Sequence, residues 1–285
     1  MPIFANGCPP HLSTVIQTVT GRVSGRLLRV RDSDIERITA FENRLARAQA
    51  TDVVDLSWGF ALLQKDFPLS QDHNRIAVTS AALAADVLAT AEEVLGGAGL
   101  RHRYLSVDND AVGEALSTDL IAAGYARETI MTMIYTGPEV EPAAHEVRAV
   151  SLDTLRPAII RNWRVEIPDA TDEHLRQLAD RTELYALGAE LTLLAVYDGD
   201  EIAAHAALYV DRHERIAQFE NLVTHQDFRG RGYADALIRD ALRRGQQAGS
   251  ELSFLTADLN DWPREWYQRL GYVDANRTHH FNRSE

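Results

Sequence analysis

Apolar residues recur at helical spacing in three stretches of the first half, with short strand-like runs between them. Residues 33–50 read as a helix capped by Ser33, apolar at Ile35, Ile38 and Leu45. Residues 82–96, stopping at Gly96-Gly97, and residues 111–124 read as two more. The runs 60–64, 75–78, 103–107 and 129–135 read as strands. Residues 136–146 are rich in Pro and Glu, lack periodicity and read as an interdomain linker. The pattern then restarts with helices near 153–163 and 171–187. Strands at 191–197 and 201–210 follow, joined by Asp198-Gly199, a hairpin signal, with a third at about 215–224. A helix at about 231–247, a strand at 252–257, a helix at 265–270 and a strand at 272–282 close the chain. This order predicts an α+β layer architecture with an antiparallel meander. The words AAGYARE (122–128) and RLGYVDA (269–275) end the two halves alike and suggest internal duplication.

Composition narrows the class. The chain has 285 residues, of which 45% are hydrophobic and 25% charged, values of a globular protein with a core. A formal charge of −13 argues against nucleic-acid or anionic-membrane partners, which demand concentrated positive charge. The single cysteine, Cys8, excludes an intrachain disulfide and a cysteine-based metal site, and the histidines show no ligand spacing. No metal is therefore expected. Lys65 is the only lysine and follows no glycine, which excludes a Walker A loop. No apolar run approaches a membrane span, and the first 25 residues lack the basic and apolar regions of a secretory signal. A cytoplasmic protein with a loosely ordered extension at residues 1–26 is the expectation.

The segment 220–242 carries the chemistry. A β-rich run ends at Thr224, and Arg229-Gly230-Arg231-Gly232-Tyr233-Ala234 leads into a helix with an apolar face at Ala234, Leu237, Ile238, Ala241 and Leu242. A glycine-bearing turn into a helix start leaves backbone N–H groups and the positive dipole end facing outward, a site for pyrophosphate. Side chains at 230 and 232 would hold the backbone off such a ligand. A dinucleotide fingerprint would need glycine where Asp235 stands, and a parallel βαβ unit rather than a meander. A glycine-rich helix start with no ligand is the plain alternative.

The wording R-x-x-G-x-A, after a strand closing V-x-H-x-x-F, resembles the acetyl-CoA loop of the GNAT superfamily of N-acetyltransferases. A second match follows one helix and one strand later, in DLNDWPREWYQRLGY (258–272), where Asn260, Tyr267, Gly271 and Tyr272 stand at the superfamily's positions. The two motifs cover about residues 147–282 and look similar to the two-half GNAT proteins common in actinobacteria. The first half resembles their degenerate N-terminal half through Asp55-Leu56-Ser57-Trp58-Gly59 and Asp72-His73-Asn74-Arg75, but it has no comparable glycine loop. The resemblance implies a largely antiparallel GNAT-like sheet flanked by helices, in two tandem copies: a degenerate domain over 27–135, the linker 136–146, and an acetyltransferase domain over 147–285.

It further implies transfer of an acetyl group from acetyl-CoA, the co-substrate, to the primary amine of a small molecule by direct attack in a ternary complex. Backbone groups of Leu222, Val223 and Thr224 would hold the pantetheine arm, and residues Arg229 to Ala234 the pyrophosphate, with Asn260 on the cofactor arm. Tyr267 would protonate the leaving thiolate. Glu220, by strand alternation on the face of Leu222 and Thr224, leads as general base, with His225 and Asp258 as rivals; His205 reads as a core histidine. Trp163 and Arg164, in the connection 161–166 between two helices, would line the acceptor pocket. A packed aromatic at 267 and a cross-strand partner at 220 are the plain alternatives. A non-catalytic acyl-CoA-binding sensor is the rival function, and a homodimer is compatible with all of this.

Overall fold

The computed structural model describes residues 30–284, so the expectation for residues 1–26 lies outside the described residues. The first half runs α1 (Asp32–Ala48), β1 (Asp52–Leu56), β2 (Gly59–Leu63), β3 (Arg75–Val78), α2 (Ala84–Thr90, continued by a π-helical turn at Ala91–Gly96), β4 (His102–Val107), α3 (Asp110–Ala122) and β5 (Ala126–Tyr135). The second runs β6 (Arg148–Val150), α4 (Leu152–Glu166), α5 (Asp172–Asp180, continued by a 3-10 segment at Arg181–Leu187), β7 (Glu190–Asp198), β8 (Glu201–Asp211), β9 (Ile216–Thr224), α6 (Tyr233–Gln247), β10 (Leu252–Asp258), α7 (Pro263–Arg269) and β11 (Tyr272–Ser284). Among the described residues no helix is long and apolar enough to cross a membrane.

Local chemistry explains the helix starts. Side chains of Asn109, Ser151 and Thr171 accept from the backbone N–H groups of Val112, Thr154 and His174, capping α3, α4 and α5. Pro263 opens α7, where a missing N–H costs nothing. Three expectations need correction. The N-cap of α1 is Arg31, and Ser33, expected as the cap, lies inside the helix. Residues 161–166 are the last turns of α4, and the connection to α5 lies beyond them. The hairpin strand β1 was not expected, because two acidic residues in Asp-Val-Val-Asp-Leu mask its strand pattern.

All strands join one eleven-stranded sheet of order β1-β2-β3-β4-β11-β5-β10-β9-β8-β7-β6. Among the described residues only β3–β4 and β9–β10 pair in parallel; the other pairs are antiparallel. The succession of three strands, helix, strand, helix, strand occurs twice, at β1–β5 and at β7–β11. The closing strands are exchanged: β11, last in the chain, lies between β4 and β5, and β5 lies between β11 and β10. Phe281 of β11 thereby sits fully buried in the core of the first half with Ile76, Leu105 and Leu120.

Helices cover both faces. On one, α6 and α7 pack Leu237, Ile238 and Tyr267 against Leu208, Phe219 and Leu255. On the other, Ile38, Phe41 and Leu45 of α1 reach across to Leu155, Tyr209 and Phe254 of the second half. On this α1 face, alternation places Arg75, Ser106, His280, Glu128, Thr256 and Glu220 from β3, β4, β11, β5, β10 and β9. A polar floor thus runs through the middle of the sheet, with α1 on one side and α4–α5 on the other.

Candidate active site

The parallel strands β9 and β10 pair from Ile216/Leu252 to Phe219/Leu255, and there the ladder stops, although β9 continues to Thr224 and β10 to Asp258. Past that point β9 follows β8 and β10 follows β5, so the two strands part. Their facing edges, around Leu222, Val223 and Thr224 on one side and Thr256 to Asp258 on the other, present peptide groups with no ladder between them. Beyond the gap stands the glycine turn. Gly230 (φ 78) and Gly232 (φ 82) are both left-handed, which favours glycine, and the space a Cβ would enter at Gly230 is open. Gly232 precedes α6 and offers no side-chain cap, so the first-turn N–H groups of Tyr233, Ala234 and Asp235 point out of the helix start.

The two arginines of the turn are engaged. Arg231 pairs with Asp198 and its guanidinium lies 5.4 Å from the Phe228 ring centre, while Arg229 Nε donates to Thr224 O at 3.3 Å. Tyr233 O–H also reaches Asp198, at 3.0 Å. His145, from the segment between the halves, was not expected at this site: its Nε2 lies 2.9 Å from Arg231 O and its ring packs edge-on to Tyr233.

Glu220 lies where the strands part. Thr256 Oγ1 and Gln218 Nε2 both donate to its Oε1, at 2.8 and 3.0 Å. Burial raises its pKa, against the bonds from Thr256 and Gln218 that favour the carboxylate. The expected placement on the face of Leu222 and Thr224 is corrected by a β-bulge. Ala207 pairs with Glu220 and His205 with Val223, so two residues of β9 oppose one of β8, and Asn221 takes φ 55. Alternation slips by one, sending Glu220 to the α1 face while Leu222 packs with Tyr233 and Leu208 on the α6 face.

Tyr267 is buried in α7 at 7% exposure, edge-on to Tyr272 at 5.9 Å. Burial and the Glu220 charge raise its pKa well above the ordinary phenol value, so it stays protonated. Asn260 lies exposed in the β10–α7 turn, its N–H bonded to Asp258 Oδ1 at 2.7 Å. Of the rival bases, His225 lies 3.5 Å from Asp227, and Asp258 faces Glu128, whose carboxyl is pushed up to about 7 by burial and by that neighbour. His205 is a core histidine bonded to Asn162, and burial lowers its pKa to about 4.

On the α1 face the floor carries a group of polar side chains that no motif announced. Asp72 pairs with Arg181 at 2.8 Å, tying the first half to the segment after α5. Tyr185 stacks on Tyr209 at 4.8 Å, and Asn221 Nδ2 donates to the Tyr209 hydroxyl. Asn43 Nδ2 donates to Asp108 Oδ2 at 2.9 Å, and Tyr104 O–H meets His280 Nδ1 at 2.8 Å. Glu42 of α1 lies between these halves: burial, Asp108 and Glu220 together raise its carboxyl to about 8. Trp163 packs at the edge of this group, beneath the Arg181 guanidinium. Arg164 does not face it. Its guanidinium donates to Ala170 O at 2.5 Å and pairs with Asp172, closing the α4–α5 turn, which corrects its expected place in the pocket.

A mixed sheet whose two adjacent parallel strands part beside a glycine-turned helix start has the architecture of GNAT-fold proteins. Residues 155–272 match the model of the acetyltransferase (GNAT) family. An uncharacterized N-acetyltransferase of Bacillus subtilis, CgeE, is 26% identical over 72 residues, a match spanning 25% of this chain and only 28% of that protein. Among solved structures, a functionally unknown conserved protein from Staphylococcus epidermidis aligns with TM-score 0.64 at 13% identity over 83% of this chain and 94% of its own. A GCN5-related N-acetyltransferase from Kribbella flavida aligns with TM-score 0.56 at 16% identity, over 86% and 94%. A tandem GNAT protein from the clavulanic acid biosynthesis pathway aligns with TM-score 0.52 at 11% identity, over 89% and 95%. At these identities the solved structures share the fold.

Proposed function

We propose that the chain is an acetyl-CoA-dependent N-acetyltransferase of tandem architecture, acting on the primary amine of a small molecule by direct attack in a ternary complex. The carrying observation is the parting of β9 and β10 at Phe219/Leu255, with an open helix start at one end and Glu220 at the other. Acetyl-CoA, when bound, supplies the activated acetyl thioester. The chain's part is to hold and to move protons. Peptide groups of Leu222, Val223 and Thr224 align the pantetheine arm, amides from Gly230 to Ala234 take the pyrophosphate, and Asn260 flanks the arm. Glu220 takes the proton that an alkylammonium must lose before it attacks, and its raised pKa suits that task. Tyr267, kept protonated by burial, donates to the leaving thiolate.

The doubled strand order supports reading the first half as a second GNAT copy. It is degenerate in this reading, because the turn after β3 is Thr79-Ser80-Ala81-Ala82, without glycine. The lone cysteine and acidic charge fit a cytoplasmic protein, with neither nucleic acid nor membrane as partner.

Calorimetric titration with acetyl-CoA tests the reading. One site per chain is expected, abolished by Gly232→Trp, whose side chain would fill the turn. Two sites would show that the first half also binds. Absence of binding at about 1 mM ligand would overturn the acetyltransferase reading.

A further inference from the structure

The segment between the halves is packed against the second half on its way to the glycine turn. Tyr135 O–H donates to Pro138 O at 2.6 Å, Val140 is buried in the core beneath α6 and α7, and Ala143 and Val147 pack on that same core. This packing delivers His145 to the start of α6. Its Nε2 lies 2.9 Å from Arg231 O, and its ring stands edge-on to Tyr233 with centres 4.8 Å apart. A carbonyl oxygen only accepts, so the proton of that bond sits on Nε2.

The turn itself is a row of unpaired donors. Among the described residues no backbone N–H from Gly230 to Asp235 makes a backbone hydrogen bond, whereas those of Phe228, Arg229 and Ala236 on either side all do. Both arginine side chains of the turn are engaged, Arg231 by Asp198 and Arg229 by Thr224 O, so its hold on an anion rests on peptide N–H groups. Which way those peptides face therefore decides how well the turn binds. Left-handed glycines stand on both sides of Arg231, where a peptide plane can turn over at little steric cost. A trans peptide directs its C=O and N–H to opposite sides. The His145 bond holds Arg231 O towards the joining segment and so sends the Gly232 N–H the other way, into the row that continues with Tyr233 and Ala234.

We infer, on the proposed acetyl-CoA reading of this turn, that His145 is a positioning residue for the co-substrate: from the segment between the halves it locks the Arg231–Gly232 peptide with its N–H turned to the pyrophosphate. The ring contact with Tyr233 aims the imidazole, and the Nε2–H does the locking. The joining segment is thereby part of the binding site as well as a connection between halves.

Two variants separate the donor from the ring. His145→Phe keeps an aromatic against Tyr233 and removes the N–H; His145→Gln removes the ring and keeps an N–H donor at about the reach of Nε2. The full chain and both variants are titrated calorimetrically with acetyl-CoA and, separately, with inorganic pyrophosphate. His145→Phe is expected to weaken both ligands about tenfold, and His145→Gln to stay within about threefold of the unaltered protein. A residue that merely packs would give the reverse order. Unchanged affinity in His145→Phe overturns the proposal, as does a loss that is larger in His145→Gln or one for acetyl-CoA that pyrophosphate does not share. If acetyl-CoA does not bind the unaltered protein, the acetyl-transfer reading fails separately. Pyrophosphate then decides the turn alone: binding weakened by His145→Phe and kept by His145→Gln supports the role, and absence of binding at about 10 mM overturns it.

Discussion

Thr256 Oγ1 donates to Glu220 Oε1 at 2.8 Å across the point where the β9–β10 ladder has just ended. This bond holds the proposed base over the gap that the parting strands create. It also favours the ionised carboxylate against burial, which pushes the pKa of Glu220 up. Thr256→Val removes the bond while keeping the shape. The carboxylate then becomes harder to ionise, so the acid limb of the kcat/KM profile should move to higher pH by about one unit. A profile that stays in place would show that Glu220 is not the group titrating in it. Glu220→Gln is expected to lower kcat by about 10²–10⁴-fold, the range for losing a general base.

Tyr267→Phe separates transfer from binding. The hydroxyl is shielded, and burial and Glu220 keep it protonated at every working pH. Loss of the proton donor is expected to lower kcat about tenfold to a hundredfold while calorimetric affinity for acetyl-CoA is retained. Equal kcat in both proteins would leave the ring as a packing element against Tyr272, which it touches edge-on.

The segments that read most clearly from sequence are those in which backbone conformation dictates residue type. The glycine turn at 230 and 232 and the Asp198-Gly199 hairpin are legible because a left-handed φ selects glycine, and all three glycines take it. Glu220 was legible as a residue and not as a direction. Alternation holds only in a regular strand, and the bulge at Asn221 reverses it without a sequence mark, since asparagine adopts a left-handed φ almost as quietly as it sits in a loop. The polar group on the α1 face was not legible because its members are distant in sequence: Glu42, Asp108 and Glu220 come near one another only because α1 crosses onto the second half. Asp72-His73-Asn74-Arg75 stood out as a word, and the structure gives its reason. His73 bonds Ser70 Oγ and Gln49 Oε1, Asn74 bonds the turn backbone, and Asp72 pairs with Arg181.

The exchanged strands tie the halves into one folding unit. Phe281 comes from β11 and fills the first half's core beside Leu105 and Phe281's own neighbours on β4. Phe281→Ala should therefore cost about 3–5 kcal/mol and lower a single unfolding transition, read alike by probes in either half. Two separated transitions, with only the first half weakened, would show that the exchange does not couple them.

Glu42 makes a pH prediction whose sign is opposite to that of the buried histidines. Its folded pKa stands at about 8, above the ordinary 4.5, so between those values the folded chain holds a proton that the unfolded chain has released. Stability from this group is complete below 4.5 and is lost as pH rises through 8. For His205, lowered to about 4, stability is instead lost as pH falls from 6.5 towards 4, and His280 behaves the same way. A bare pH curve mixes the two signs, whereas the difference between wild type and Glu42→Gln isolates one, because both proteins share the histidines. The denaturant midpoint of Glu42→Gln, relative to wild type, should rise steadily from pH 5 to pH 9, since only the wild type must expose or ionise a carboxyl facing Asp108 and Glu220. A difference that does not vary with pH would mean that Glu42 ionises as freely in the fold as out of it, and that water reaches it more freely than its position between α1 and the sheet implies.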